Sequence, residues 1–160
     1  MRPPHPVVIG IGNPYRHDDG IGPALIAALR PSCPGTVTLA ESDGEPTHLL
    51  DIWDRVPLAV VVDAVRCPLP APGRIHRSGA QSFLPGVTGS THGLGMPDAI
   101  RLAQVLDRVP ARLVVLAVEA ADLSPGVGLS PAVAASLPQL IASVQDVLAA
   151  PDRARPGSGP

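Results

Sequence analysis

Lysine is missing from this 160-residue chain: the 12 basic residues are all arginine, against 14 acidic ones, for a formal net charge of −2. There is no basic field to hold a phosphate backbone, so nucleic acid is not an expected partner. Aromatics are nearly absent, limited to Tyr15, Trp53 and Phe83. A core must therefore be built from Val, Leu, Ile and Ala. The two cysteines, Cys33 and Cys67, each lie beside a proline and form neither a disulfide framework nor a CxxC metal motif. They read as reduced thiols of a cytoplasmic protein. No apolar run approaches the roughly 18 residues of a bilayer span, and the first residues lack the apolar segment of a signal peptide. A membrane association is not expected. Asparagine occurs once, as Asn13.

Proline and glycine, at 21 and 16, are abundant but follow no fixed period, which excludes collagen and low-complexity repeats. The length suits one domain over 1–149 with a flexible tail over 150–160. Short apolar runs alternate with helical patterns. Pro6–Ile11 reads as a strand buried on both faces, and Gly22-Pro23 opens a helix from Ala24 to Arg30. Thr36–Ala40 reads as a second strand. A short helix follows over His48–Asp54, with Thr47 as its N-cap. Leu58–Asp63 is the clearest buried strand, and Ile75 marks a short edge strand. Pro97–Arg108 is helical by its apolar spacing, and Leu113–Val118 is the last buried strand. Ser130-Pro131 cap a terminal helix that Pro138 should kink or split. This order predicts an α/β protein, a three-layer α/β/α sandwich on a mostly parallel, twisted sheet of about five strands. Ligands of such sheets bind beyond the carboxyl ends of the strands.

Three places at those ends carry chemistry. Gly10-Ile11-Gly12-Asn13-Pro14-Tyr15-Arg16-His17-Asp18-Asp19-Gly20-Ile21-Gly22 lacks the third glycine of a dinucleotide fingerprint, since position 15 is Tyr. Its glycines serve a turn, but two adjacent aspartates aimed at a crevice are candidate ligands or acid/base groups. Asp63 ends an apolar run, where a carboxylate is costly to desolvate unless it meets a cation or a donor; a turn or N-cap role is the plainer alternative. His92, in Ser90-Thr91-His92-Gly93, precedes a helix. Asp19, Asp63 and His92 make a three-ligand set with a position open for substrate, and their oxygen and nitrogen donors suit nickel, zinc, manganese or iron. Asn13 reads as a turn residue rather than a substrate contact.

The first loop resembles the opening of the hydrogenase maturation endopeptidases. So do Val61-Val62-Asp63-Ala64-Val65, Ser90-Thr91-His92, and the end from Val118-Glu119 through Leu129-Ser130-Pro131. The matches run from residue 7 to about 148. The resemblance implies an α/β/α sandwich and an endopeptidase that trims a short C-terminal extension from the large-subunit precursor of a nickel–iron hydrogenase. It places the nickel-recognising and catalytic triad on Asp19, Asp63 and His92. It also implies that the nickel arrives with the precursor; a monomer is expected. The chain departs from the pattern twice. Asp43-Gly44-Glu45-Pro46-Thr47 replaces an Asp-Gly-Gly-Thr loop, and Ala120 follows Glu119 where the family often has proline.

Two other readings remain. Gly10 through His17 also resembles the start of the peptidyl-tRNA hydrolases, but the acidic balance argues against a tRNA ligand, and Gly93 stands where that family continues its histidine with asparagine. A non-catalytic chaperone that docks the hydrogenase subunit and senses its nickel is the alternative outside the enzymes.

Overall fold

The computed structural model describes residues 4–80, 88–89 and 96–150. Among the described residues six strands form one sheet: β1 (Val7–Ile11), β2 (Thr38–Ser42), β3 (Ala59–Arg66), β4 (Ile75–Gly79), β5 (Thr88–Gly89) and β6 (Leu113–Glu119). Five of them lie in the order β2-β1-β3-β6-β4, and β5 pairs with the end of β3. β2, β1, β3 and β6 run parallel; β4 is an antiparallel edge on β6. The helices are α1 (Ile21–Leu29), α2 (Pro46–Trp53), α3 (Met96–Val105) and α4 (Pro131–Ala149). The expected α/β architecture with a mostly parallel sheet is the one observed.

Alternation along the strands sorts the aliphatic residues into two cores. Val8, Val60, Val62, Ala64, Val114, Leu116 and Val118 point to α1 and α4. Val7, Ile9, Ile11, Ala59, Val61, Leu113 and Val115 point to α2 and α3, around the buried Trp53. On the first face α1 presses directly onto β1. A Cβ on Gly22 would collide with the Ile11 carbonyl oxygen, so only glycine allows this approach.

Element bounds differ from the expected ones for identifiable reasons. α1 begins at Ile21 rather than Ala24, because the 3-10 turn His17–Gly20 leads straight into it and Pro23 sits in the first turn, where its missing N–H has no partner to lose. β2 is shifted two residues on, held by its ladder from Val7↔Thr38 to Ile11↔Ser42. β3 runs three residues past Asp63, because β6 and β5 still offer partners there. α2 starts at Pro46, and its N-cap is Glu45, not Thr47: the Glu45 carboxylate accepts the Thr47 and His48 N–H groups. α4 is one helix through Pro138, not two.

α4 also corrects the expectation about apolar runs. It is 19 residues long and apolar enough, by length and composition, to cross a membrane. In the fold, Val133, Leu140, Val144 and Val147 are buried in the same core as Leu25 and Leu116.

Candidate active site

The carboxyl end of β1 turns at Gly12, whose φ of +141° brings its α-carbon against the backbone of Asp19; a Cβ there would overlap the Asp19 carbonyl oxygen. Asn13 then donates its N–H to Asp19 Oδ2 at 2.9 Å, while its own side-chain Oδ1 accepts the Tyr15 N–H at 2.9 Å. Asn13 is thus an Asx-turn residue, as read from the sequence, and its backbone helps to orient Asp19. Asp19 is fully buried in the 3-10 turn His17–Gly20, which packs on β3.

Its neighbour Asp18 points elsewhere. Its two carboxylate oxygens accept the N–H groups of Ala121 (2.9 Å), Asp122 (2.9 Å) and Ser130 (2.7 Å) and the Ser130 hydroxyl (2.8 Å). The Asp18 N–H in turn donates to the Asp122 carbonyl. Asp18 is completely buried, and these charge-assisted bonds bind the loop after β1 to the loop after β6. Of the two adjacent aspartates, Asp18 is therefore the anchor that fixes the loop presenting Asp19. The Ser130 hydroxyl is spent on this anchor and makes no bond within the first turn of α4.

Asp63 lies in β3, paired with Ala117 of β6, and is buried at 6% exposure. It shares the α2/α3 face with Val61 by alternation. His92 lies outside the described residues, just upstream of Met96, which opens α3 on that same face. Asp19 and Asp63 are both buried, Asp19 in the turn that follows β1 and Asp63 three residues before the end of β3.

The loop that departs from the family pattern has a local purpose. The Glu45 carboxylate lies below its ordinary pKa, first because of the Thr47 hydroxyl and then through the His48 and Thr47 N–H groups. Ser42 Oγ accepts the Gly44 N–H and bonds His48 Nδ1 at 3.2 Å. Gly12, Pro14, Ser42 and His48 line a cleft of about 300 Å³ beside the Gly12 turn.

A second polar group was not anticipated. Cys67 follows β3, His76 is in β4 and Glu119 ends β6. One ligand-type atom from each lies within 4.8 Å of the other two. His76 Nε2 and Glu119 Oε1 are 2.6 Å apart, and the Ala71 N–H donates to Glu119 Oε2 at 2.5 Å. Burial alone would raise the Glu119 carboxyl, but the bonds from His76, Ala71 and Cys67 outweigh it and hold it below the usual carboxylate range. The Cys67 thiol is pushed up, by burial first and by the Glu119 charge second. The three residues are dispersed in sequence and share no motif; only the antiparallel register of β4, with His76 opposite Ala117, brings them together. Cys33 and Cys67 are both free thiols, as expected.

A family model described as hydrogenase maturation protease matches residues 29–147. The matched span includes Asp63 and His92 and begins after Asp19. A hydrogenase expression/formation protein HupD from Rhodobacter capsulatus is 26% identical over 148 residues, covering 89% of this chain and 70% of that protein. The HupD protein of Thiocapsa roseopersicina is 30% identical over 125 residues, 75% of this chain and 56% of the relative. Among solved structures, the hydrogenase maturating endopeptidase HybD from E. coli superposes with a TM-score of 0.74 at 23% identity, covering 90% of this chain and 91% of its own. The [NiFe] hydrogenase maturation protease HybD from Thermococcus kodakarensis gives 0.75 at 18% identity, with 90% and 99% covered.

Proposed function

The chain belongs to the hydrogenase maturation protease family, a family of peptide-bond hydrolases, and from that premise we propose that it removes a short C-terminal extension from the nickel-loaded precursor of a nickel–iron hydrogenase large subunit. Asp19, Asp63 and His92 recognise the nickel, which arrives as part of the substrate. The observation that carries this reading is the pair of buried carboxylates, Asp19 in the turn that follows β1 and Asp63 in the carboxyl half of β3, toward the side where open parallel sheets bind their ligands.

A nickel ion shared between protease and precursor would polarise the scissile carbonyl or acidify a bound water. The chain's own residues then have separate roles. The Gly12 turn and the Asn13 N–H hold Asp19 in place, and Asp18 fixes the loop from behind. The enzyme acts in the cytoplasm as a monomer, and neither nucleic acid nor a membrane takes part.

Incubation with nickel-loaded and nickel-free precursor tests this. Cleavage of the loaded form only is expected. Equal cleavage of both, or normal processing by both Asp63→Asn and His92→Ala, would sink the metal-recognition mechanism. No cleavage by the wild-type protein, with stable binding of the loaded precursor, would turn the reading to a docking chaperone.

A further inference from the structure

Three features lie outside the proposed triad and are not used by it. They are the cleft of about 650 Å³ lined by Arg16, Arg66, Cys67 and Asp122, the apolar surface of α4, and the cluster of Cys67, His76 and Glu119. The cluster goes furthest and takes in the cleft. We propose that Cys67, His76 and Glu119 form a second cation site, distinct from the triad, that takes a borderline divalent ion of the zinc class.

The donor set comes first. A thiol, an imidazole and a carboxylate converge, each with a ligand-type atom within 4.8 Å of the others. Bonds of about 2.0–2.3 Å arranged tetrahedrally require ligand atoms roughly 3.5 Å apart. His76 Nε2 and Glu119 Oε1, at 2.6 Å, have to open by somewhat under 1 Å, and no pair of the three starts more than 4.8 Å apart, an adjustment within the reach of side-chain torsions. Mixed sulfur, nitrogen and oxygen donors select zinc, cobalt or nickel over magnesium or calcium, which take oxygen alone.

Charge comes second. Glu119 is buried at 3% exposure and is held as a carboxylate by donors from His76, Ala71 and Cys67. Two of those three donors are protons occupying the place where a cation would sit. When the ion enters, the thiol proton leaves to solvent, and the neutral imidazole carries its proton on Nδ1 so that Nε2 can coordinate. The Cys67 thiolate and the Glu119 carboxylate then balance a 2+ charge, leaving the ligand set neutral in a part-buried place. The Ala71 N–H remains on Glu119 Oε2 and orients it, as outer donors do at metal sites.

Access comes third. Cys67 lines the 650 Å³ cleft, which gives the ion an entry and leaves a fourth position for water or another ligand. A catalytic Cys–His arrangement fits less well. His76 Nε2 is engaged by Glu119 Oε1 at 2.6 Å, and the thiol is raised rather than lowered, by burial first. The site lies beside the proposed triad. Asp63, Ala117 and His76 are register partners across β3, β6 and β4, so two interstrand spacings, roughly 10 Å, separate Asp63 from His76.

Cobalt titration of the full chain tests the proposal. One equivalent of Co²⁺ should give a thiolate-to-cobalt charge-transfer band in the near ultraviolet. The band should persist in Cys33→Ser and in Asp63→Asn, vanish in Cys67→Ser, and form with at least about tenfold weaker affinity in His76→Asn. No band in the wild type, a band that survives Cys67→Ser, or one lost in Asp63→Asn would overturn the site. A second measurement uses wild-type protein alone: Zn²⁺ should slow iodoacetamide alkylation of Cys67 and leave the rate at Cys33 unchanged. Equal rates at Cys67 with and without zinc would overturn it independently of how any variant folds.

Discussion

The two faces of the sheet are built from the same strands and end in different chemistry. Toward α1 and α4, the buried residues are all apolar: Val60, Val62 and Ala64 in β3, then Val114, Leu116 and Val118 in β6. Toward α2 and α3, the amino halves are equally apolar, with Ala59 and Val61, Leu113 and Val115. The carboxyl halves then carry Asp63 on β3 and Glu119 on β6, with His76 on β4, all inward on that one face by alternation. One face is given to packing and the other changes from apolar to polar side chains part-way along its strands. The same carboxylate one position along would be aimed into the opposite core.

Moving a carboxylate across this divide should have the largest effect. Val62 is fully buried against the α1/α4 core. Val62→Asp should destabilise by at least about 3 kcal/mol, or prevent folding, since an uncompensated charge has no water and no partner there. Asp63→Asn, the neighbouring position on the other face, should stay within about 1 kcal/mol of wild type in urea unfolding. Similar losses for both would erase the distinction between the faces.

Activity should show the reverse. Asp63→Asn should reduce processing of nickel-loaded precursor by at least about 100-fold, the loss common for removing one electrostatic group from a reacting site. Unchanged processing would remove Asp63 from the chemistry and leave its burial to another cause.

Asp18 should cost stability less than Val62→Asp does. Asp18→Asn removes charge and turns an NH₂ group toward donors from Ala121, Asp122 and Ser130. A loss of about 2–3 kcal/mol is expected, together with faster amide exchange over 119–130. Protection unchanged in that loop would mean that Asp18 is not its anchor.

The smallest effect is at Glu45, which is exposed. Its carboxyl is held low by Thr47 and His48, so the cap contributes fully above the unfolded carboxylate pKa of about 4.3 and fades as pH falls through the lower folded value. The melting-point gap between wild type and Glu45→Gln should be small at pH 7 and shrink further toward pH 3. A gap that widened on acidification would reverse the assignment.

Much of this was legible in the chain. Runs such as Val60-Val61-Val62 and Val114-Val115-Leu116 could only be strands covered on both faces, and helices between them required a mostly parallel sheet. Gly10, Gly12 and Gly22 marked the first turn, and Asp19 and Asp63 stood out as acids at strand ends. Asn13 read as a turn residue and is one. Less legible was anything settled by pairing at a distance. β2 moved two residues to meet β1, and β3 continued past Asp63 because β6 and β5 were there to receive it. Pro138 does not divide α4. The N-cap of α2 passed to Glu45, whose longer side chain reaches back over the first turn.

Asp18 and Asp19 show where the division falls. Sequence placed both acids in one loop and assigned Asp19 to the ligand set, but left the role of Asp18 open, because that role depends on the direction its carboxylate takes. Asp18 turns toward Ala121, Asp122 and Ser130, more than a hundred residues on, and Asp19 toward Asn13. Cys67, His76 and Glu119 are dispersed along the chain and carry no spacing signal at all; the antiparallel edge strand β4 decides that they meet. Sequence by itself determined the aliphatic core, the alternation of strand and helix, and the acids at the strand ends, because burial and periodicity are local properties of a chain. Tertiary structure alone decided that Asp18 is the acid that anchors the loop after β6 while Asp19 turns toward Asn13, because hydrogen-bond partners and strand register are set by segments that meet only on folding.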